Sequence, residues 1–497
     1  MEKKQISELL ITETDNEILE RNTKEFFQVD FLKAAMIFLV IFDHMVSWGI
    51  KSDIGVALWE RISIPVFLVI MGFNMGISFQ RKGDLSLKKL YSWSYFKSKI
   101  LRYIFPFLVL YGFSTLLGLI LYQFNISEMY HRQYYPSHGF INLFIGILPF
   151  WGPGNWFIPL VFQSILILPL LYKALTKKPI LTLILCFIIE IAMQLVIFFF
   201  IGNLYPGGVI SWPKVHILNI FMTSILFYLP AIGLGMWFSF GYKLEQNRNF
   251  FMWIIYPISL AFICAHQFFG FRIMIGELPL LRGDYHFLIV PYSAFLFLLA
   301  MKFLPQNSDN KFSQVISLIG KSTYHILLTQ ILGYGIIYAL RGTHYLIDVG
   351  FTFLDALNLI YAWLIFISFG ILWFKIDQEK NLIRRLLYYI NFFLIFSVII
   401  FFIFETLIPP EFDWVPLPLI IILIYAVIGL TISFATKKPI RTTTIALWTS
   451  FLVYNFLITI LYIDILPSTE YLIQNISISI FFVLVVIGTV LDYIFRK

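Results

Sequence analysis

The chain has 497 residues, 59% of them hydrophobic and only 13% charged, about half the roughly 25% charged residues usual in soluble domains. A water-soluble fold of this length cannot hide so much apolar surface, and disorder needs the opposite composition. The net charge of +8 is therefore first a record of membrane topology rather than a nucleic-acid footprint.

The apolar residues come in blocks of about 20, the length that crosses roughly 30 Å of hydrocarbon. In chain order they predict fourteen helical spans near 29–49, 59–80, 100–123, 154–173, 180–202, 217–240, 250–269, 285–304, 312–340, 352–374, 383–407, 415–435, 442–463 and 472–495. The expected fold is an all-α, polytopic transmembrane bundle. The ninth block is long enough for a tilted or broken helix. Of the 36 Lys and Arg, 27 fall on the side where the odd-numbered spans begin. By the positive-inside rule that side is the cytoplasm, and both termini lie there. No short apolar region with a small-residue cleavage site opens the chain, so no signal peptide is expected. The longest outer loop, about Asn125 to Pro153, is too short for a separate domain, so function is expected from the bundle itself. Cys186 and Cys264 both sit in apolar blocks, which argues against a disulfide or thiolate metal site.

The first span carries the densest polar pattern, Asp30-Phe31-Leu32-Lys33 and then His44. Eleven residues at about 100° each return to within about 20°, so Lys33 and His44 share a helix face, roughly 16 Å apart along the axis. One face thus offers a cation at the cytosolic mouth and an imidazole deep in the bundle. Ionisable groups inside a membrane mark functional sites by default, although snorkelling and interfacial placement explain the same spacing. Asp43 points about 100° away from His44, so it is not automatically its partner and fits the outer interface equally well. Lys99 and Arg102 open the third span, either as a positive-inside anchor or as part of an anion site. Trp156 fits an interfacial belt or a pocket wall. Glu190 and Gln194, at i and i+4 in the fifth span, face one way. They read as an interhelical hydrogen bond or as the polar lining of a tunnel. His325 reads as a satisfied core histidine or as a cavity residue near Gln330. The outer-loop residues Tyr130, His131, Tyr134, Tyr135, His138, Trp151, Glu277, Asp284 and His286 suit sugar binding or plain exposure. No metal spacing, Walker A or dinucleotide fingerprint is present.

Five segments in order resemble the membrane-bound acyltransferase-3 family. They are Asp30-Phe31-Leu32-Lys33 with His44; Pro65-Val66-Phe67 with Gly72-Phe73; and Lys99-Ile100-Leu101-Arg102 with Pro106. Asn155-Trp156-Phe157 with Pro159 and Pro169 follows, then Gly320-Lys321-Ser322-Thr323 leading to Gln330. Lys33 stands where the family has Arg, Met71 where it has Ser, and Gln330 where it often has His. The resemblance implies a cytoplasmic tail at 1–27, a ten-span acyltransferase-like core at 28–376 and a four-span extension at 377–497. It also implies transfer of an acyl group, acetyl above all, from cytosolic acyl-CoA to a hydroxyl of a glycan or lipid-linked acceptor. Under it His44 is catalytic, as a base or as an acyl carrier. Lys33, Lys99 and Arg102 hold the coenzyme A phosphates. Asp30, Trp156, Glu190, His325 and Gln330 are candidates for substrate contact. No permanently bound cofactor, metal or nucleic acid is expected. The partners are the bilayer, the two substrates and, where the acceptor does not approach the bundle directly, a separate extracytoplasmic protein. The competing reading is a multi-span transporter or lipid-linked-glycan flippase, which predicts inverted repeats with paired broken helices. The interruptions here do not recur at matching positions.

Overall fold

The computed structural model describes residues 26–400, except 84–85, 123, 132–142, 145, 150–151, 202–222, 242–249, 276–277, 280–285, 308–309, 342–344, 346, 348–352 and scattered positions between 383 and 399. The N-terminal tail, the last three predicted spans and part of the eleventh lie outside the described residues. So do Tyr134, Tyr135, His138, Trp151, Glu277 and Asp284.

Ten helical elements occupy the first ten predicted intervals. They are α1 Phe27–Met45, α2 Val56–Gln80, α3, α4 Phe157–Lys177, α5 Pro179–Val196, α6 Leu229–Phe238, α7 Phe250–Phe269, α8 Val290–Phe303, α9 Lys311–Arg341 and α10 Phe353–Asp377. The element α3 runs through Trp93–Lys99, a π-helical turn at Ile100–Ile104, and Phe105–Leu121. A two-residue antiparallel pair, Met274–Ile275 with Leu278–Pro279, interrupts the helices. The fold is all-α. Six helices are long and apolar enough to cross a membrane, and three shorter apolar helices accompany them. Together with α1, whose 19 residues carry Asp30, Lys33 and Asp43, they make a multi-pass membrane protein. The ninth element is a single unbroken helix of 31 residues.

Lipid tails are as apolar as leucine, so helices in a bilayer are held mainly by close van der Waals contact at small residues. That explains how α2 meets α6. Gly72 lies against the Ile232 carbonyl, and Gly235 against the Val69 carbonyl, so closely that a Cβ on either would strike backbone. In the same way Gly320 of α9 sits on the Asp30 backbone of α1. Buried backbone acceptors on α1 take side-chain donors from its neighbours. The Tyr334 hydroxyl donates to Ile41 O (3.0 Å), and Trp363 Nε1 donates to Phe38 O (3.1 Å). Helix α1 is thereby fixed between α2, α9 and α10. The packing continues past α10: Phe392 and Phe393 stand against Trp373, and Phe393 stacks on Phe113 of α3 with ring centres 4.4 Å apart.

Candidate functional site

A cavity of about 830 Å³ opens between α1, α2, α3, α4, α9 and α10. It gathers five cations from four parts of the chain: Lys33, Arg81, Lys99, Arg102 and Lys321. Lys33 Nζ donates to Asp30 Oδ1 (3.0 Å), and Ser317 Oγ donates to Asp30 Oδ2 (2.8 Å). Asp30 is thus tied to α9 by a hydroxyl and tethers the Lys33 ammonium near the mouth.

The π turn explains the α3 contribution. Pro106 has no amide hydrogen to hold the α register onto the Arg102 carbonyl, and Phe105 N–H bonds instead to Ile100 O. The wider turn brings Lys99, Leu101, Arg102 and Tyr103 all onto the cavity wall. Tyr324 of α9 locks this turn in place, its hydroxyl donating to Tyr103 O (2.8 Å).

Val40 and Leu327 line the inner end of the cavity. His44 lies one helical turn beyond Val40, about 6 Å further along α1. Around it the chain narrows to small and polar groups. Gly154 has φ +85°, a left-handed conformation that glycine accepts without cost. A Cβ there would stand 3.5 Å from His44 Nε2 and 3.6 Å from Gln330 Nε2. His44 and Gln330 therefore border the same small space. Gln330 is fully buried, and neither end of its amide has a hydrogen-bond partner among the described residues. A buried amide left open on both ends is costly unless something else fills it. Tyr334 stands edge-on to the imidazole, with ring centres 6.3 Å apart.

On its other side His44 meets an ion pair. Asp43 Oδ2 is 3.5 Å from His44 Nδ1, and Asp43 Oδ1 is 2.7 Å from Lys51 Nζ. Helical projection alone leaves Asp43 without an assigned partner. The structure supplies one, because α1 stops at Met45 and the short helix Trp48–Asp53 turns back over its end. Lys51 is only 5% exposed, so both partners are largely withdrawn from water. Tyr345 places its ring 5.7 Å from the Lys51 ammonium, and Ser47 N–H donates to Ile347 O (2.8 Å), pinning the strap in place.

The predicted residues divide into three groups. Asp30, Lys33, Lys99, Arg102 and His325 share the cavity. His44 and Gln330 share the space beside Gly154, and Trp156 lies two residues on, stacked on Tyr228 with ring centres 5.8 Å apart. Glu190 stands apart from both. It accepts from Gln194 Nε2 (2.8 Å) within α5 and from the Phe287 backbone just before α8, and neither residue borders the cavity. His325 is no isolated core histidine, since its Nε2 is 2.6 Å from Asp377 Oδ2. Reasoning from the sequence missed Asp43, Lys51, Arg81, Lys321 and Asp377 as site residues. For Lys51, Arg81 and Asp377 the signal was a charge at the end of an apolar span, absorbed into topology, and for Lys321 it was a charge within one. Among the described residues no group of three or more His, Cys, Asp or Glu could hold a metal ion.

The model of a family described as an acyltransferase domain matches residues 26–351. The chain belongs to this acyltransferase-3 family. Membership makes the protein a membrane acyltransferase and takes in α1 through α9, with both ends of the site. Asp377 and all that follows lie beyond the matched residues. No curated protein and no solved structure matches the chain.

Proposed function

We propose that this acyltransferase moves an acyl group, acetyl in the first instance, from cytosolic acyl-CoA to a hydroxyl of a glycan or lipid-linked acceptor. The observation that carries the reading is one cavity lined by five cations that ends a helical turn short of a half-buried imidazole. Coenzyme A is polyanionic at one end and carries its thioester at the end of a long thin arm. Lys33, Lys99 and Arg102, joined by Arg81 and Lys321, hold the phosphates by charge-assisted hydrogen bonds. The arm threads between α1 and α9 toward His44. Reaching it requires Val40 and Leu327 to yield slightly.

At the inner end the acceptor hydroxyl attacks the thioester carbonyl. The new C–O bond forms, the C–S bond breaks, and coenzyme A leaves as the thiol. His44 takes the hydroxyl proton and returns it to the departing sulfur. The amide N–H groups of Gln330 steady the carbonyl oxygen as charge builds on it. Asp43, held by Lys51, fixes the imidazole and balances its charge. In the covalent alternative His44 accepts the acyl group first and passes it on. Both termini are cytoplasmic in this reading, and residues 377–497 add four spans to a ten-span core, giving fourteen. An acceptor that reaches the outer face meets the bundle directly or through a separate extracytoplasmic protein.

The test uses purified protein in nanodiscs and acetyl-labelled acetyl-CoA. Wild type should bind it and release labelled product or acetate. His44→Ala should still bind it but lose turnover by at least about a hundredfold. Undiminished turnover in that variant removes His44 from the mechanism. A wild-type protein that never binds acetyl-CoA but carries a solute into liposomes overturns the donor assignment.

A further inference from the structure

The cavity holds one pair that phosphate binding does not use. His325 Nε2 and Asp377 Oδ2 are 2.6 Å apart, and both residues line the cavity. With Asp377 ionised, Nε2–H donates to it. The other atom of each group, His325 Nδ1 and Asp377 Oδ1, is buried without a hydrogen-bond partner among the described residues. His325 as a whole is 6% exposed. Unpartnered buried polar atoms on two residues that line a cavity indicate a ligand that supplies a partner.

The chemistry of that partner is restricted. A carboxylate oxygen repels phosphate, so the pair suits an uncharged part of the molecule whose anionic part the cations attract. Asp377 Oδ1 needs an N–H or O–H donor. The surroundings are aromatic. The Phe374 and Tyr324 rings lie 5.5 Å and 5.9 Å from the His325 ring, and both residues line the cavity. Asp377 ends α10, on the side where Lys33, Arg81 and Lys321 also gather, so the pair sits near the mouth rather than near His44. A flat heterocycle bearing an amine meets these conditions.

We infer that His325 and Asp377 form a base-reading subsite for the nucleotide end of the donor. The adenine amine donates to Asp377 Oδ1, and His325 Nε2, bonded to Asp377 Oδ2, holds that carboxylate in place. Asp377 lies outside the residues matched to the family, so the subsite is built partly from this chain's own continuation. The inference rests on the acyl-CoA reading above.

The experiment measures dissociation constants in nanodiscs for three probes. They are coenzyme A, its analogue with hypoxanthine in place of adenine, and 4′-phosphopantetheine, which keeps the arm but lacks the nucleotide. Wild type should prefer coenzyme A over the hypoxanthine analogue by about tenfold, the scale of one hydrogen bond to a charged group. Asp377→Asn, isosteric and able to donate to the oxo group, should bring that ratio near one. The same substitution should leave 4′-phosphopantetheine binding unchanged, and His325→Gln should lower the ratio as well. An unchanged ratio in Asp377→Asn, or equal weakening of all three probes, overturns the subsite while leaving the donor assignment intact. A wild type that binds none of the probes overturns both.

Discussion

At the scale of single residues, a few buried charges carry the chemistry, and each has a named partner. Asp30 tethers Lys33, Lys51 neutralises Asp43 and Asp377 orients His325. The Asp43–Lys51 pair gives the sharpest test. Removing one member of a buried pair strands the other, at a cost of about 3–5 kcal/mol, whereas replacing both with apolar groups is often neutral. Lys51→Met should therefore lower the melting temperature clearly, and adding Asp43→Leu should restore most of it. Turnover should stay low in the double variant, because His44 has still lost its carboxylate. A double variant as unstable as the single one would mean that the pair is not the source of the effect. Lys33 and His44 were legible in the sequence because helical periodicity relates residues on one straight helix. Lys51 was not, because its approach to Asp43 depends on a chain reversal after Met45.

At the scale of elements, helix contact at glycine and one widened turn shape the site. The α1–α9 seam depends on Gly320 having no side chain above the Asp30 backbone. Gly320→Leu must push α9 outward, since backbone cannot yield as a flexible side chain does. Overpacking of this kind costs about 1–3 kcal/mol. It should also separate Ser317 from Asp30, which loosens Lys33. The expected outcome is a lower melting temperature in detergent together with weaker acetyl-CoA binding. A variant that is less stable but binds normally would show that the seam does not position the cation. The ten helices were visible in the sequence as apolar blocks, because length and hydropathy alone decide which segments avoid water. The π turn was not visible. Pro106 marked the place, but only the packing of Tyr324 on Tyr103 decides which way the surplus residue bulges.

At the scale of the whole molecule, the charge distribution implies orientation. With 27 of 36 positive residues assigned to one side, both ends of the chain should face the cytoplasm. In a Cys264→Ser background, Lys3→Cys and Lys497→Cys should each react with a membrane-impermeant maleimide only after the cells are opened. Labelling of either position from outside would invert or break the proposed topology. The extension past residue 377 is joined to the core by aromatic packing on Trp373 and Phe113. It therefore supports the wall from which Asp377 projects.

The sequence by itself determined that the protein lives in a membrane, where its first ten helices run, and that Lys33 and His44 share a face. These follow from hydropathy and from the fixed angle and rise of a helix, which are local properties. It also carried the motif order by which the acyltransferase family is recognised. Only the tertiary structure decided which scattered charges meet. Lys99 and Arg102 from α3, Arg81 after α2, Lys321 from α9 and Asp377 from α10 are far apart in the chain, and topology accounts for each of them separately. They become one cavity because glycine contacts draw the helices together, and because a charge inside a bilayer is stable only beside a partner or an opening.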